Sequence, residues 1–392
     1  MRVGIIGPCP PPYGGVTRVI ENHLKFWEGR PIQTFLIPFV IPEKPAPYPQ
    51  TTLVDYRDGV ANPLPAMAAL PHLGVMRPGQ YVDFVRFNAA LARFIRELKL
   101  DVLYAHHAGV TGAAAVTQAR RAGIPCALVS YGESWLATPQ DARRRRLAEY
   151  AIRRADWVVS TSEHCRRGAL QCGAVQARTS VIYAGIDLEM FRPGIDGASF
   201  RQRQNIPQDA TVISILGLTL KRKLDTFLDT LKLLSRHAGV LYLIGGVGED
   251  FKYLQDRVTE LGMSTVRILG FVKDPELPEF YAATDVLVAS PRTLVECMGQ
   301  SMKEAMACAR PVAGADIGGV PEAIENGRNG VLFKPDDPAD LARALGSLIA
   351  DPARRQQLGA NAREYAARKF DARVAADQTF EVFQALSSRS DS

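Results

Sequence analysis

The sequence predicts an α/β protein built from two doubly wound, Rossmann-like domains facing each other across a cleft, and three observations predict it. Short apolar runs ending in Gly, Ser or Pro alternate with longer amphipathic stretches, the pattern of β-α units around parallel sheets. The chain has 392 residues, 47% of them hydrophobic, which is more than one core organises. Between the halves, residues 191–209 are rich in Pro, Gly and polar side chains and read as a linker, dividing the chain into domains at 1–190 and 191–370.

In chain order, strands are expected at 3–6, 33–39, 102–105, 126–130, 157–161 and 180–183 in the first half. The second half repeats the logic at 212–216, 240–244, 266–269, 286–289, 311–314 and 330–333. After the first strand, Pro12-Tyr13-Gly14-Gly15-Val16-Thr17 leads into an amphipathic stretch over 18–26, a strand-to-helix turn whose unpaired N–H groups suit a phosphate. Residues 41–80 carry eight prolines and read as an irregular excursion, either a surface insertion or an acceptor-side loop. His106 and His107 close the strand at 102–105, and Tyr131 follows the next one; side chains at such strand ends point toward the cleft of an α/β domain. The last stretch, 374–386, has apolar residues at helical spacing.

Charge is unevenly placed. Residues 1–190 hold 22 Lys and Arg against 15 Asp and Glu, and the rest of the chain is nearly balanced. That excess suits an anionic partner such as a membrane surface or a phosphate-linked acceptor better than it suits nucleic acid. Arg143 to Arg146 with Arg153 and Arg154 share a stretch with Leu147, Tyr150, Ala151, Ile152 and Trp157, readable as a solvated helix face or as an amphipathic basic helix at a membrane. No apolar run has the length of a membrane span, and the run at 3–6 is too brief for a signal-peptide core. The six cysteines form no Cys-x-x-Cys pair, and no His cluster has metal-ligand spacing, so buried thiols and a reduced cytoplasmic setting are expected. Peripheral contact at the inner membrane face is compatible with this.

The most specific segment is Glu296-Cys297-Met298-Gly299-Gln300-Ser301-Met302-Lys303-Glu304, followed by Pro311-Val312 and Gly318-Gly319-Val320-Pro321-Glu322. If the stretch from 299 is helical, eight residues rise about 12 Å, which approximates the span from a nucleotide's ribose to the sugar beyond its diphosphate. An ionised carboxylate accepts from both hydroxyls of a cis-diol, and exposed N–H groups at the helix start bind phosphate or hydroxyl oxygens. Gly299 lets that backbone come close.

These residues resemble the nucleotide-sugar segment of family-4 retaining glycosyltransferases of the GT-B fold, whose pattern is Glu, seven residues, Glu, small residues, Pro-Val and Gly-Gly-x-Pro-Glu. The resemblance runs through nearly the whole chain, strongest over 266–335. It implies that Glu304 holds the ribose and that Glu296, with the amides of Met298, Gly299 and Gln300, holds the donor sugar. It likewise implies diphosphate contacts from Gly14 and Gly15, base contacts from the backbone of Gly270, Phe271 and Val272, and a last helix at about 371–388 packed on the first domain. Gly217 with Lys221, Arg222 and Lys223 resembles the family's Gly-Arg-x-x-x-x-Lys clamp, with Lys223 on the lysine. Leu218 stands at the arginine, so Arg222 or Lys221 is the substitute cation, and guanidinium and ammonium differ in the geometry they offer phosphate.

His106 matches the last His of the family's Asp-Val-Val-His-Ala-His. Tyr131 stands where the family has the His of Thr-x-His-Gly; it can donate and accept a hydrogen bond but cannot become cationic. Ala184 replaces an Asn in the hinge-like run 181–187. The catalytic set this implies is Glu296, Lys223, Arg222, Tyr131 and His106. The sequence contains no Asp-x-Asp, so no metal and no other cofactor is expected. The implied activity is retaining transfer of a hexose from a UDP- or GDP-sugar to a glycan, glycolipid or lipid-linked acceptor. A catalytically silent nucleotide-sugar-binding partner and another GT-B enzyme, such as a sugar-nucleotide epimerase, are the alternatives.

Overall fold

The computed structural model describes residues 1–10, 14–40, 51–56, 78–135, 142–217, 221–248 and 251–390, with side chains left undescribed at 78–83, 143, 221–223, 389 and 390. Tyr13, Leu218 and most of the proline-rich stretch 41–80 therefore lie outside the described residues. The chain divides into two compact units, one of Met1–Gly185 with Ala372–Ser392, the other of Ile186–Asp371.

In unit 1, strands β1 (Arg2–Ile6), β2 (Gln33–Leu36), β3 (Thr51–Leu53), β4 (Val102–His106), β5 (Cys126–Ser130), β6 (Trp157–Ser160) and β7 (Thr179–Val181) form a parallel sheet in the order β3-β2-β1-β4-β5-β6-β7. Helices α1 (Gly15–Phe26), α2 (Pro78–Glu97), α3 (Val110–Ala122), α4 (Ala142–Arg154), α5 (Glu163–Gln171) and α13 (Ala372–Ser390) flank it. Sheets covered on both faces read as continuous apolar runs, and alternate residues then serve opposite cores. β4 shows this directly. Leu103 and Ala105 join Phe84, Phe87 and Leu91 of α2 on one face, while Val102 and Tyr104 join Val3, Ile5 and Phe383 on the other.

Helix α13 is locked onto α1. Trp27 Nε1 donates to Ala376 O at 2.9 Å, Arg30 pairs with Asp377, and the Phe383 ring meets Trp27 and Tyr104 edge-on at 5.5 and 5.1 Å. The apolar face of the basic helix α4 is also spoken for: Leu147, Ala148, Ala151 and Ile152 are buried in unit 1's own core. Two expectations need correction. The strand expected at 33–39 ends at Leu36, and the stretch expected to be irregular supplies an edge strand, β3, pairing with β2 through Thr34 and Thr51.

In unit 2, strands β8 (Thr211–Leu216), β9 (Val240–Gly245), β10 (Val266–Gly270), β11 (Val286–Ala289), β12 (Val312–Ala315) and β13 (Gly330–Phe333) form a parallel sheet in the order β10-β9-β8-β11-β12-β13. Its helices are α6 (Ala198–Arg203), α7 (Lys221–Leu234), α8 (Phe251–Leu261), α9 (Leu277–Ala283), α10 (Gln300–Ala307), α11 (Pro338–Ile349) and α12 (Pro352–Lys369). The stretch read as a linker thus contains a helical turn, α6, whose Phe200 is buried against Phe280. Asp337 and Asp351 cap α11 and α12, each accepting a backbone N–H of the first turn ahead of a proline at the first helical position. In both sheets the order reverses direction beside the first strand of the unit, the edge at which open α/β sheets commonly place their ligand-binding loops.

Candidate active site

In unit 1 the candidate residues share the C-terminal edge of the sheet. Gly14 caps α1 in an extended conformation, and its N–H donates to Thr17 Oγ1 at 2.9 Å. That amide already has an acceptor. Gly15, the first helical residue, keeps an N–H with no acceptor among the described residues, as expected for a helix's first turn. His106 is 1% exposed at the end of β4, and its Nδ1 lies 2.8 Å from the Tyr131 hydroxyl. Burial holds the imidazole well below its ordinary range, with buried His23 nearby adding to the effect, so His106 is neutral. Burial likewise raises Tyr131, aided by Tyr104 and Glu133, so its hydroxyl stays protonated. When Tyr131 donates to Nδ1, Nε2 carries the proton; that atom is buried and has no partner among the described residues.

Sequence reasoning missed the group that fastens this edge. Glu133 is 5% exposed; its Oε1 accepts from Ala108 N–H at 2.9 Å, and its Oε2 accepts from Tyr131 N–H at 2.7 Å and from the Ser130 hydroxyl at 3.3 Å. One carboxylate therefore ties the loop after β4 to the loop after β5. His107 lies between these anchors at φ +92°, a region costly for a residue with a side chain, with Nδ1 3.3 Å from Glu133 Oε1. Only the position of Glu133, two residues beyond Tyr131, hinted at this.

In unit 2, the glycines ending β8 and β10 adopt positive φ, Gly217 at +101° and Gly270 at +68°, and among the described residues nothing lies where a side chain would sit. Beyond Gly270, the Phe271 ring is 51% exposed while Val272 is buried against Gly245. Lys221, Arg222 and Lys223 open α7 directly after the β8 edge; their side chains lie outside the described residues.

Helix α10 follows β11, capped by Gly299 at φ −58° and ψ 137°. Its leading N–H groups have no partners within the helix. Glu296 is half-buried ahead of it, and a Cβ on Gly299 would stand 3.8 Å from Glu296 Oε1. Glu304 is 4% exposed, and its Oε2 accepts from the Tyr281 hydroxyl of α9 at 2.6 Å. Between the two carboxylates in sequence, Lys303 is fully buried with its ammonium 5.6 Å from the centre of the Phe370 ring; burial pushes it down to about 7 against the pull of Glu304 and Glu296. The glycine pair explains its own place in the pattern. Gly319 N–H donates to Glu296 O at 3.2 Å, and Cβ atoms on Gly318 and Gly319 would strike Glu296 O and Cys297 O at 2.3 and 1.4 Å. The pair is the backbone bed on which the Glu296 loop lies.

This arrangement can be set beside known proteins. Residues 13–190 match the family described as Glycosyltransferase Family 4 and residues 197–365 the family described as Glycosyl transferases group 1. D-inositol 3-phosphate glycosyltransferase 1 of Catenulispora acidiphila is 30% identical over 290 residues, 68% of each chain. The D-inositol 3-phosphate glycosyltransferase of a Nocardioides species is 30% identical over 338 residues, 78% of this chain and 72% of the relative. The chain belongs to the group 1 glycosyltransferases.

It is accordingly an enzyme of the hexosyltransferase class. Solved structures share the GT-B fold of this glycosyltransferase. HepE of Anabaena in complex with UDP and glucose superposes with a TM-score of 0.76 at 20% identity, covering 98% of this chain and 100% of the other. Sucrose-phosphate synthase of Thermosynechococcus elongatus superposes with a TM-score of 0.79 at 20% identity, covering 99% and 100%. Among the glycosyltransferase's described residues, no helix is long and apolar enough to cross a membrane, and no three His, Cys, Asp or Glu side chains are grouped to hold a metal ion.

Proposed function

We propose that this enzyme transfers a hexose from a UDP- or GDP-sugar to an acceptor hydroxyl with retention at the anomeric carbon and without a metal. The observation that carries the reading is the pair of carboxylates at α10: Glu304 in the helix, held by the Tyr281 hydroxyl, and half-buried Glu296 in the loop ahead of it, seated on Gly318 and Gly319. Glu304 takes the ribose hydroxyls and Glu296, with the amides of Met298, Gly299 and Gln300, the hydroxyls of the donor sugar. The Gly270-Phe271-Val272 turn takes the base, and the first turn of α7, with Gly217, Lys223 and Arg222, takes the diphosphate. In unit 1, the Gly15 amide is the phosphate-binding element and His106 with Tyr131 binds sugar hydroxyls as neutral hydrogen-bonding groups.

In the transfer step the bond from the anomeric carbon to the diphosphate oxygen breaks and a bond to the acceptor oxygen forms on the same face. The acceptor proton passes to the departing diphosphate oxygen, so no protein base is required. Cations and helix-start amides stabilise the charge that develops on the diphosphate, and the carboxylates orient the sugar.

HepE, whose structures contain UDP, glucose and UDP-glucose, makes UDP-glucose the first donor to try. The relatives named for D-inositol 3-phosphate make phosphorylated inositol the first acceptor beside lipid-linked glycans. The test is a thermal-shift and transfer panel of UDP- and GDP-sugars in EDTA on wild type, Glu296→Ala and Glu304→Ala, with the product anomer read by NMR. Expected are a nucleotide-dependent rise in Tm, turnover that persists in EDTA and is lost in Glu296→Ala, and the donor's anomeric configuration in the product. An inverted product, or a requirement for added metal, overturns the reading.

A further inference from the structure

A concave pocket of about 450 Å³ opens on unit 1 at the edge opposite His106 and Tyr131, where Pro125 leads into β5 and Asp156 into β6. Arg120, Arg153, Arg154 and Arg178 line it, with Asp156 as the one acidic lining residue. The four arginines converge from three elements: the last turn of α3, the last turn of α4 and the 3₁₀ turn Gln176–Arg178. Cations at helix C-termini complement the helix dipole, which accounts for each arginine on its own helix. It does not account for the convergence of four of them on one hollow whose lining holds a single carboxylate.

None of the four forms an ion pair among the described residues, and Asp156 spends an oxygen on Cys126 N–H at 2.9 Å. Two of the guanidiniums are fixed in advance. Arg153 Nε donates to Cys172 O at 3.0 Å, its side chain lying where a Cβ on Gly173 would come within 2.8 Å, and Arg154 stacks 3.9 Å over the centre of the Tyr150 ring. Arg120 and Arg178 are exposed and able to close on a ligand. The volume falls within the roughly 300–1,000 Å³ of ligand pockets, and planar guanidiniums grip phosphate through paired N–H groups.

We propose that this arginine pocket binds a phosphate-bearing anion. β5 separates it from Tyr131, so the ligand tethers or regulates the enzyme and takes no part in the reacting centre. The test is isothermal titration of the full chain with inorganic pyrophosphate, joined to flotation with phosphatidylcholine vesicles with or without phosphatidylglycerol. Binding is expected in wild type, retained in Lys223→Ala, and weakened at least tenfold in Arg120→Glu/Arg178→Glu, with Arg120→Gln/Arg178→Gln as the milder variant if charge reversal impairs folding. No binding by wild type, equal binding by the folded double variants, or a loss confined to Lys223→Ala overturns the proposal. Flotation that needs phosphatidylglycerol and both arginines assigns the phosphate to a lipid headgroup; pyrophosphate binding without flotation assigns it to a soluble phosphate compound.

Discussion

Replacing Gly319 by alanine is expected to damage catalysis by shifting the loop before α10 while the protein stays folded, and the geometry sets the size. Gly319 has φ −89°, which alanine accepts readily, so backbone strain is not the obstacle. The obstacle is the added Cβ, placed 1.4 Å from Cys297 O, an atom of the backbone that cannot swing aside. That contact has to open to at least 3.0 Å, and the carbonyl that moves belongs to the residue after Glu296. A misplacement of about 1 Å at a positioning group costs on the order of a hundredfold in rate, about 2.7 kcal/mol at 1.36 kcal/mol per tenfold. With UDP-glucose as donor, kcat/KM should therefore fall about a hundredfold. UDP affinity should change much less, because Glu304 sits in the helix body with Tyr281 as its own anchor. Urea denaturation and circular dichroism should check that the variant is folded. A folded Gly319→Ala within threefold of wild-type kcat/KM refutes the claim that the Gly318-Gly319 bed positions Glu296.

Acid should destabilise unit 1. Burial holds His23 at about 3, against 6.5 for a free imidazole, so below pH 6.5 the unfolded chain takes up a proton that the folded chain does not, and stability falls as pH falls. At pH 5 the loss from His23 is about 2 kcal/mol relative to pH 8, and His106 adds in the same direction. Urea titrations from pH 5 to 8 should show this slope, reduced in His23→Phe; a flat profile would contradict it. Glu133→Ala strands the Ala108 and Tyr131 N–H groups, at about 1–3 kcal/mol each, and Glu133→Gln should recover part of that in a thermal melt. Tyr281→Phe removes a hydrogen bond to the Glu304 carboxylate, worth about 1.5–3 kcal/mol; titration calorimetry should find weaker UDP binding, and unchanged affinity would exclude the support role.

The strands plainest in the sequence were those with both faces buried, although the half-buried β7 and β10 were legible as well. β4, β5, β9 and β11 are almost wholly buried and apolar from end to end, as strands of a sheet covered on both faces are. β3 was not legible, since Thr51–Leu53 has no apolar run and is a strand only through its pairing with β2. The site divides the same way. Glu296, Gly299 and Glu304 lie at fixed spacing on one helix and its approach, which a linear pattern records. Tyr281, Glu133 and the burial of Lys303 depend on partners across the fold: Tyr281 lies 23 residues from Glu304 and Ala108 lies 25 from Glu133. Gly318 and Gly319 were visible as letters, but their reason, contact with the backbone of residues 296 and 297, belongs to three dimensions.

Unit 1 is not contiguous along the chain. Helix α13 is translated after the whole of unit 2, so on the ribosome Trp27 and Tyr104 wait for Phe383 and Ala376 while unit 2 already has every residue it needs. Gly185 and Ala372, the last residue before the excursion and the first after it, lie against each other, a Cβ on Gly185 falling 2.3 Å from Ala372 Cα. Ser387 Oγ rests 3.6 Å from Met1 Sδ. Unit 2 is therefore inserted through a narrow neck into a closed loop of unit 1. Splicing residue 185 to 372 through a short Gly-Ser bridge should yield unit 1 as a free-standing domain, whereas cutting the chain after 185 should yield an N-terminal piece with one wall of its core missing.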